Sequence, residues 1–197
     1  MALPSKKNLE LLYLNKNYSA AQIGKKLGFS TGKVNYWLSK HEIKKRSISH
    51  AIYARHNPKG DPFLIKIPTT IEEAILYGMG IGLYWGEGNK MNKTSVRLGN
   101  VDPKLIRKFI LFLRKIYGID PKKLKFGLQV FSDVSAPEAL RFWQKQLKAS
   151  PEQFQKVVIT PTRGEGTYRR KSVHGVLTVY YNNVKLRDLI CRTIENL

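Results

Sequence analysis

One acidic side chain stands out by its neighbours. In "ILYGMGIGLYWGEGNK", Ile75 to Lys90, Glu87 lies between Gly86 and Gly88 at the end of a run with five glycines among bulky apolar residues. Each glycine inside a helix costs about 1 kcal/mol against alanine. A carboxylate at a helix C-terminus also faces the negative pole of the helix dipole. Two readings of Glu87 stay open on these residues: a carboxylate that binds a metal, or a solvated helix end. Other chemistries fail on spacing. "GMGIGLYW" lacks the third glycine of a dinucleotide loop, and no strand precedes it. No Lys-Ser/Thr pair follows a phosphate loop, and four scattered histidines (His41, His50, His56, His174) with one cysteine, Cys191, lack zinc-site spacing. No Ser-His-Asp set is suggested.

Charge narrows the partners. The 197 residues carry 35 Lys+Arg against 14 Asp+Glu, a net +21. Up to Thr69 there are 13 basic and 3 acidic residues, and after it 22 and 11. Both halves are basic, so the field is not that of one charged tail. Such a field attracts polyanions and releases their counterions, which makes nucleic acid the expected partner. No stretch reads as a basic amphipathic helix with an aromatic face, and the apolar run Ala74 to Gly86 is too short to span a bilayer, so no membrane partner is expected. A single cysteine and an N-terminus that turns polar at once point to the cytoplasm.

Stepping along the chain, residues 1–56 read as a helical domain. Leu9, Leu12 and Tyr13 share one helix face. Ser19 and Ser30 read as N-caps, Gly28 as the turn between two helices, and Gly24 as the small residue where they cross. Ile23, Leu27, Phe29, Val34 and Trp37 would clamp the pair. The segment resembles the helix-turn-helix family over about 20 residues. Thr31, Lys33, Asn35, Tyr36 and Lys40 are then the outward residues, suited to base edges and phosphates. Lys44, Lys45 and Arg46 either grip the adjacent backbone or are merely solvated. "NPKGDP", Asn57 to Pro62, is turn chemistry, and residues 57–69 are read as a linker.

Residues 70–197 alternate helices and strands. Thr70 and Glu73 suggest a capping box, opening a helix that runs through the glycine-rich stretch. "TSVRLGN" is a short strand, and Ile106, Phe109, Ile110, Leu113 and Ile116 make one face of a following helix. In "KLKFGLQVF", Leu124, Phe126, Leu128 and Val130 alternate with Lys123, Lys125 and Gln129, which predicts a sheet apolar inside and basic outside. A helix over Ala136 to Ala149, strands at "FQKVVIT" and "VHGVLTVYY", and a helix from Val184 follow. Arg163, Arg169, Arg170 and Lys171 would sit at a hairpin tip suited to phosphates. "DPKLIRKFILFLRKIYGIDPKKLKF" is echoed faintly by "APEALRFWQKQLKASPEQFQKV".

"GIGLYWGEG" resembles the signature helix of the LAGLIDADG homing endonuclease family: Gly82, Leu83 and Gly88 match, Glu87 stands for the acid, and Gly86 for its small neighbour. The resemblance implies an α+β domain with a saddle-shaped, basic antiparallel sheet over residues 70–197. It implies two signature helices crossing at Gly82, Leu83 and Gly86, with Glu87 and the Gly86 carbonyl holding a divalent metal, Mg2+, for hydrolysis of DNA phosphodiesters. The family's basic residue would fall at Lys185. One motif copy means a homodimer. Three features depart from the pattern: a single motif, a segment Asn89 to Asn100 too short for a long first hairpin, and the extra helix at Ala136 to Ala149. Family members that pair this fold with a helix-turn-helix as regulators have lost cleavage, and others have become RNA-binding splicing helpers. The expected partner is therefore double-stranded DNA, cleaved or only bound, with RNA as the second alternative.

Overall fold

The computed structural model describes residues 4–46, 48–58, 60–162 and 172–197. The chain divides into two compact units, residues 1–62 and 63–197.

The first unit is helical. Helix α1, Lys6–Glu10, is capped by Ser5 and runs into one wider turn, Leu11–Asn15. Helix α2, Ala20–Leu27, opens on a reciprocal cap: the Gln22 N–H donates to Ser19 Oγ (3.2 Å) and the Ser19 N–H to Gln22 Oε1 (2.9 Å). Gly28 ends it at φ 72°, a conformation that glycine adopts without strain. Ser30 caps α3, Thr31–Lys40, through the Lys33 N–H. A Cβ on Gly24 would sit 2.5 Å from the Phe29 carbonyl oxygen, so the turn needs glycine there. Leu9, Ile23, Val34 and Leu38 are fully buried, each stabilising the unit by about 1.5–3 kcal/mol. Trp37 is only half-buried at the rim. A further helix, α4, Ile48–His56, follows where the sequence shows only a basic run and turn residues.

The second unit starts earlier than the spacing suggests. The Leu64 and Lys66 N–H groups donate to the Tyr117 and Ile116 carbonyls at 2.9 Å, and Phe63 is buried in this unit's core. Residues 63–66 are therefore part of the domain and not of a linker. Helix α5, Ile71–Glu87, is capped by Thr70, whose hydroxyl accepts from the Glu73 N–H at 3.2 Å. The box does not close: the Glu73 carboxylate instead takes the Lys66 ammonium and the Thr69 N–H and hydroxyl. The Lys66 contact first, then the Thr69 N–H, hold that carboxyl down to about 2.

Then come β1 (Val96–Asn100), α6 (Pro103–Tyr117), β2 (Lys125–Phe131), α7 (Ala136–Leu147), β3 (Val158–Thr160), β4 (Val176–Tyr181) and α8 (Val184–Glu195). The sheet order is β1-β4-β2-β3. β4 pairs antiparallel with both β1 and β2, but β3 lies parallel to β2, so the sheet is mixed and not antiparallel. The faint echo explains the reversal. α6 and α7 each begin at a proline-led first turn, and each leads through a proline-headed 3-10 turn (Pro121–Lys123, Pro151–Gln153) into its strand. A helix between two adjacent strands carries the chain back, which makes the second strand parallel to the first. The Gln153 amide locks the two turns together by donating to the Pro121 and Leu124 carbonyls at 2.9 and 3.0 Å. Val96, Leu98, Phe126, Leu128, Leu177 and Val179 line the buried sheet face.

Candidate nucleic-acid interface and the open face of α5

The glycines of α5 divide into two groups. Gly80 faces the core, where an added Cβ would lie 2.1 Å from the Phe112 ring. Gly78, Gly82 and Gly86, four residues apart, have no described residue within 4 Å of where a Cβ would be. Ile71, Ile75, Met79 and Trp85 are exposed on the same helix. The face is apolar, open and low in side-chain bulk. Gly78 extends the stripe by one turn at the spacing of Gly82 and Gly86. Leu83, expected on this face, is instead half-buried and packs against its own domain's core. The helix winds 100° per residue, so Leu83 turns away from its neighbour Gly82.

Glu87 is exposed at the end of this stripe. The Gly88 N–H donates to the Tyr84 carbonyl at 2.9 Å, and Gly88 pairs with Leu98, so the chain passes directly from α5 to the edge of the sheet. The Lys90 ammonium donates to the Trp85 carbonyl at 2.5 Å and to Gly88 O at 3.3 Å. A cation at this end offsets the negative pole that Glu87 faces. On α8, Arg187 Nε donates to the Asn92 carbonyl at 2.9 Å, and another guanidinium nitrogen donates to the Lys90 carbonyl. Arg187 is thus an α8 cation that holds the segment after Glu87, two residues beyond Lys185. Lys185 is exposed in the first turn of α8. Two residues apart on a helix leave it about 200° apart, so Lys185 and Arg187 start from opposite sides of α8. The sequence offered "KLR" without showing which basic residue faces inward.

The oxygen donors here suit a hard cation, since Mg2+ is held by one or two carboxylates together with phosphate oxygens and water. One chain supplies Glu87 alone: among the described residues no group of three or more His, Cys, Asp or Glu side chains could hold a metal. A second Glu87 would have to come from a second copy.

The outer sheet face carries Arg97 and Lys125 where the alternation predicts Lys123 and Lys125. Arg97, Tyr180 and Lys125 stand in register across β1, β4 and β2. The Arg97 guanidinium lies 5.1 Å from the Tyr180 ring centre, and Lys125 Nζ donates to the Glu152 carbonyl at 3.0 Å. Gly99 and Gly127 flank Thr178, leaving the centre flat. Gln129, whose amide donates to Thr160 Oγ1 at 2.9 Å, lies between Val176 and Val158. Lys123 is exposed in the 3-10 turn before β2 and is not on the strand. Arg97 and Tyr180 went unnoticed in sequence because their strands are short and their facing depends on register. Arg163, Arg169, Arg170 and Lys171 lie outside the described residues.

In the helical unit, Thr31, Lys33, Tyr36 and Lys40 are exposed along α3. Lys33 and Lys40 each stand 4.7 Å from a ring centre, of Phe29 and Trp37 respectively. Asn35 is half-buried and lines a hollow of about 200 Å³ with Tyr13, Gln22 and Arg46, at the edge of that row and not on its crest. The chain matches no protein-family model, no curated protein and no solved structure.

Lys44 and Lys45 are exposed, but Arg46 is not a backbone grip. Its guanidinium donates to the carbonyls of Tyr13, Asn17 (3.1 Å) and Tyr18 (2.7 Å) and lies 4.2 Å from the Tyr13 ring centre. The Tyr13 hydroxyl in turn accepts from the Arg46 N–H at 3.0 Å. Arg46 therefore ties the chain after α3 to the α1–α2 connection. Arg46→Ala should lower the stability of this unit by about 2–3 kcal/mol, since hydrogen bonds to a charged group and a cation–π contact are lost together. Lys44→Ala and Lys45→Ala should each stay within about 0.5 kcal/mol. Chemical denaturation of the three variants checks this; equal, small effects for all of them would refute the tie.

Proposed function

We propose that this protein is a site-specific double-stranded DNA-binding protein that acts as a homodimer through α5 and hydrolyses DNA in the manner of the LAGLIDADG homing endonucleases. The observation that carries the reading is the open Gly78, Gly82 and Gly86 stripe ending at the exposed Glu87. Gly78 and Gly82 inside the helix cost about 1 kcal/mol each, Gly86 lies in its last turn, and no described residue near them requires glycine. Their absence of bulk suits a second backbone, and the exposed apolar side chains beside them suit a protein contact. Two copies of α5 crossing there would bring two Glu87 carboxylates together. A divalent cation bound by that pair would activate water for phosphodiester hydrolysis. Helices α2 and α3, read as a helix-turn-helix, would present Thr31, Lys33 and Tyr36 to base edges, with Lys40, Lys44 and Lys45 near phosphates.

A second reading keeps the same dimer and the same DNA contacts but no cleavage, as in a transcriptional regulator. It is favoured by the separate helical unit with its capped α2–turn–α3 pair, which could bind DNA without any cleavage centre. The test is one preparation measured two ways. Affinity for randomised duplex DNA should fall with salt at a log–log slope near −5, as for about six phosphate contacts; an affinity indifferent to salt would end both readings. Nicking of the same duplex with Mg2+, and none with chelator, separates enzyme from regulator. Preference for an RNA ligand over duplex DNA at matched salt would replace both with the RNA-helper alternative.

A further inference from the structure

Away from α5 and its Glu87, the second unit holds a cavity of about 600 Å³ where α6, the end of α7 and the two 3-10 turns meet. Pockets of about 300–1,000 Å³ suit small molecules. A free inorganic anion would leave most of this one unfilled. Its walls are charged in one direction: Arg114, Lys122, Lys125 and Lys148 against one carboxylate, Glu152. Its lining also includes the half-buried Ile110 and Leu147, over the almost fully covered Leu124 and Phe126, so an apolar surface lies beside the cations. The walls are held in place. Gln153 bridges the two turns, Lys125 Nζ reaches the Glu152 carbonyl, and the Gln155 N–H donates to the Phe126 carbonyl at 2.8 Å.

Lys148 adds an unusual backbone. It ends α7 at φ 50°, in the left-handed region, the position that glycine takes at many helix ends. A lysine there accepts strain that glycine would not, and Lys148 is among the residues that line the cavity.

We infer that this cavity is a binding site for a nucleoside phosphate, taken either as a free nucleotide or as the 5′-terminal nucleotide of a strand. Arg114, Lys122 and Lys148 receive the phosphate through charge-assisted hydrogen bonds. The base lies on the apolar lining, and Glu152 accepts from the ribose hydroxyls. A plain polyanion would use the cations but not the apolar lining or the acceptor, and an apolar ligand would leave the cations unpaired. The site lies within residues 63–197 and is independent of whether the chain cleaves DNA.

The experiment is calorimetric titration of the full chain with adenosine 5′-monophosphate, adenosine and inorganic phosphate. The monophosphate should bind one per chain and at least about tenfold tighter than either part, a difference of about 1.4 kcal/mol. Lys148→Gly should weaken it by about tenfold while leaving the melting temperature unchanged or higher, because the strained backbone is relieved. Arg114→Ala should weaken it similarly. Lys25→Ala with Lys26→Ala, on α2, removes charge elsewhere and should leave it unchanged. A 5′-phosphorylated single strand that displaces the monophosphate identifies a strand end as the source, and one that does not identifies the free nucleotide. Inorganic phosphate binding as tightly as the monophosphate, or equal weakening by the α2 lysine changes, would overturn the site.

Discussion

Glu87→Gln is expected to abolish Mg2+-dependent nicking of duplex DNA while leaving affinity for that DNA within about twofold, the range of a surface substitution. The side chain is exposed, and the hydrogen bonds around it are made by Gly88 and Lys90, so the change of amide for carboxylate leaves the end of α5 intact. What it removes is charge. In a dimer joined along α5, two Glu87 carboxylates would repel each other and each would face the negative pole of its own helix, with the Lys90 ammonium as the near counterweight. The wild-type dimer should therefore gain thermal stability from Mg2+ or Ca2+, and the glutamine variant should not. Without a divalent cation the variant dimer should be at least as stable as wild type. A wild type that never nicks, and whose melting temperature ignores both cations just as the variant's does, would leave only the regulator reading.

Gly82→Leu should convert the dimer into a folded monomer, whereas Gly80→Ala should damage the fold itself. The contrast follows from two glycines of one helix whose surroundings differ. No described residue lies within 4 Å of where a Cβ on Gly82 would be, while a Cβ at Gly80 meets the Phe112 ring at 2.1 Å. Filling that buried contact forces side chains to shift and costs about 1–3 kcal/mol. Gly82→Ala is the milder companion: a lone chain should gain up to about 1 kcal/mol from better helix propensity, even as the paired helices are pushed apart. Sedimentation velocity reads the oligomeric state, and thermal unfolding reads the fold. A Gly82→Leu protein that sediments as wild type would show that the stripe is not an interface and would remove the α5 homodimer.

Local chemistry was legible in the chain. Ser19, Gly28, Ser30 and Thr70 act as caps and turns where their types and neighbours placed them, because each works through hydrogen bonds or dihedrals within a few residues. The alternation of "KLKFGLQVF" put Phe126, Leu128 and Val130 inside for the same reason: side-chain direction in a strand has period two. The glycine-rich helix and the exposed acid at its end were also visible, since composition alone marks them. Arg46 was misjudged because a basic run looks alike whether its charges meet solvent or carbonyls thirty residues away.

Facing and pairing were settled only in three dimensions. Net charge, domain class, caps and the helix carrying Glu87 follow from residue types and short-range spacing, which the chain carries in itself. Which glycines of α5 stay open and which one touches Phe112, that Arg187 reaches the segment after Glu87, and that β3 runs parallel to β2 depend on contacts between distant segments. A helix offers several faces at nearly equal local cost, and a strand offers either direction. Packing against α6, the repeated helix–turn–strand unit and the Gln153 bridge choose among them, because burial acts on the assembled surface and not on the residue alone.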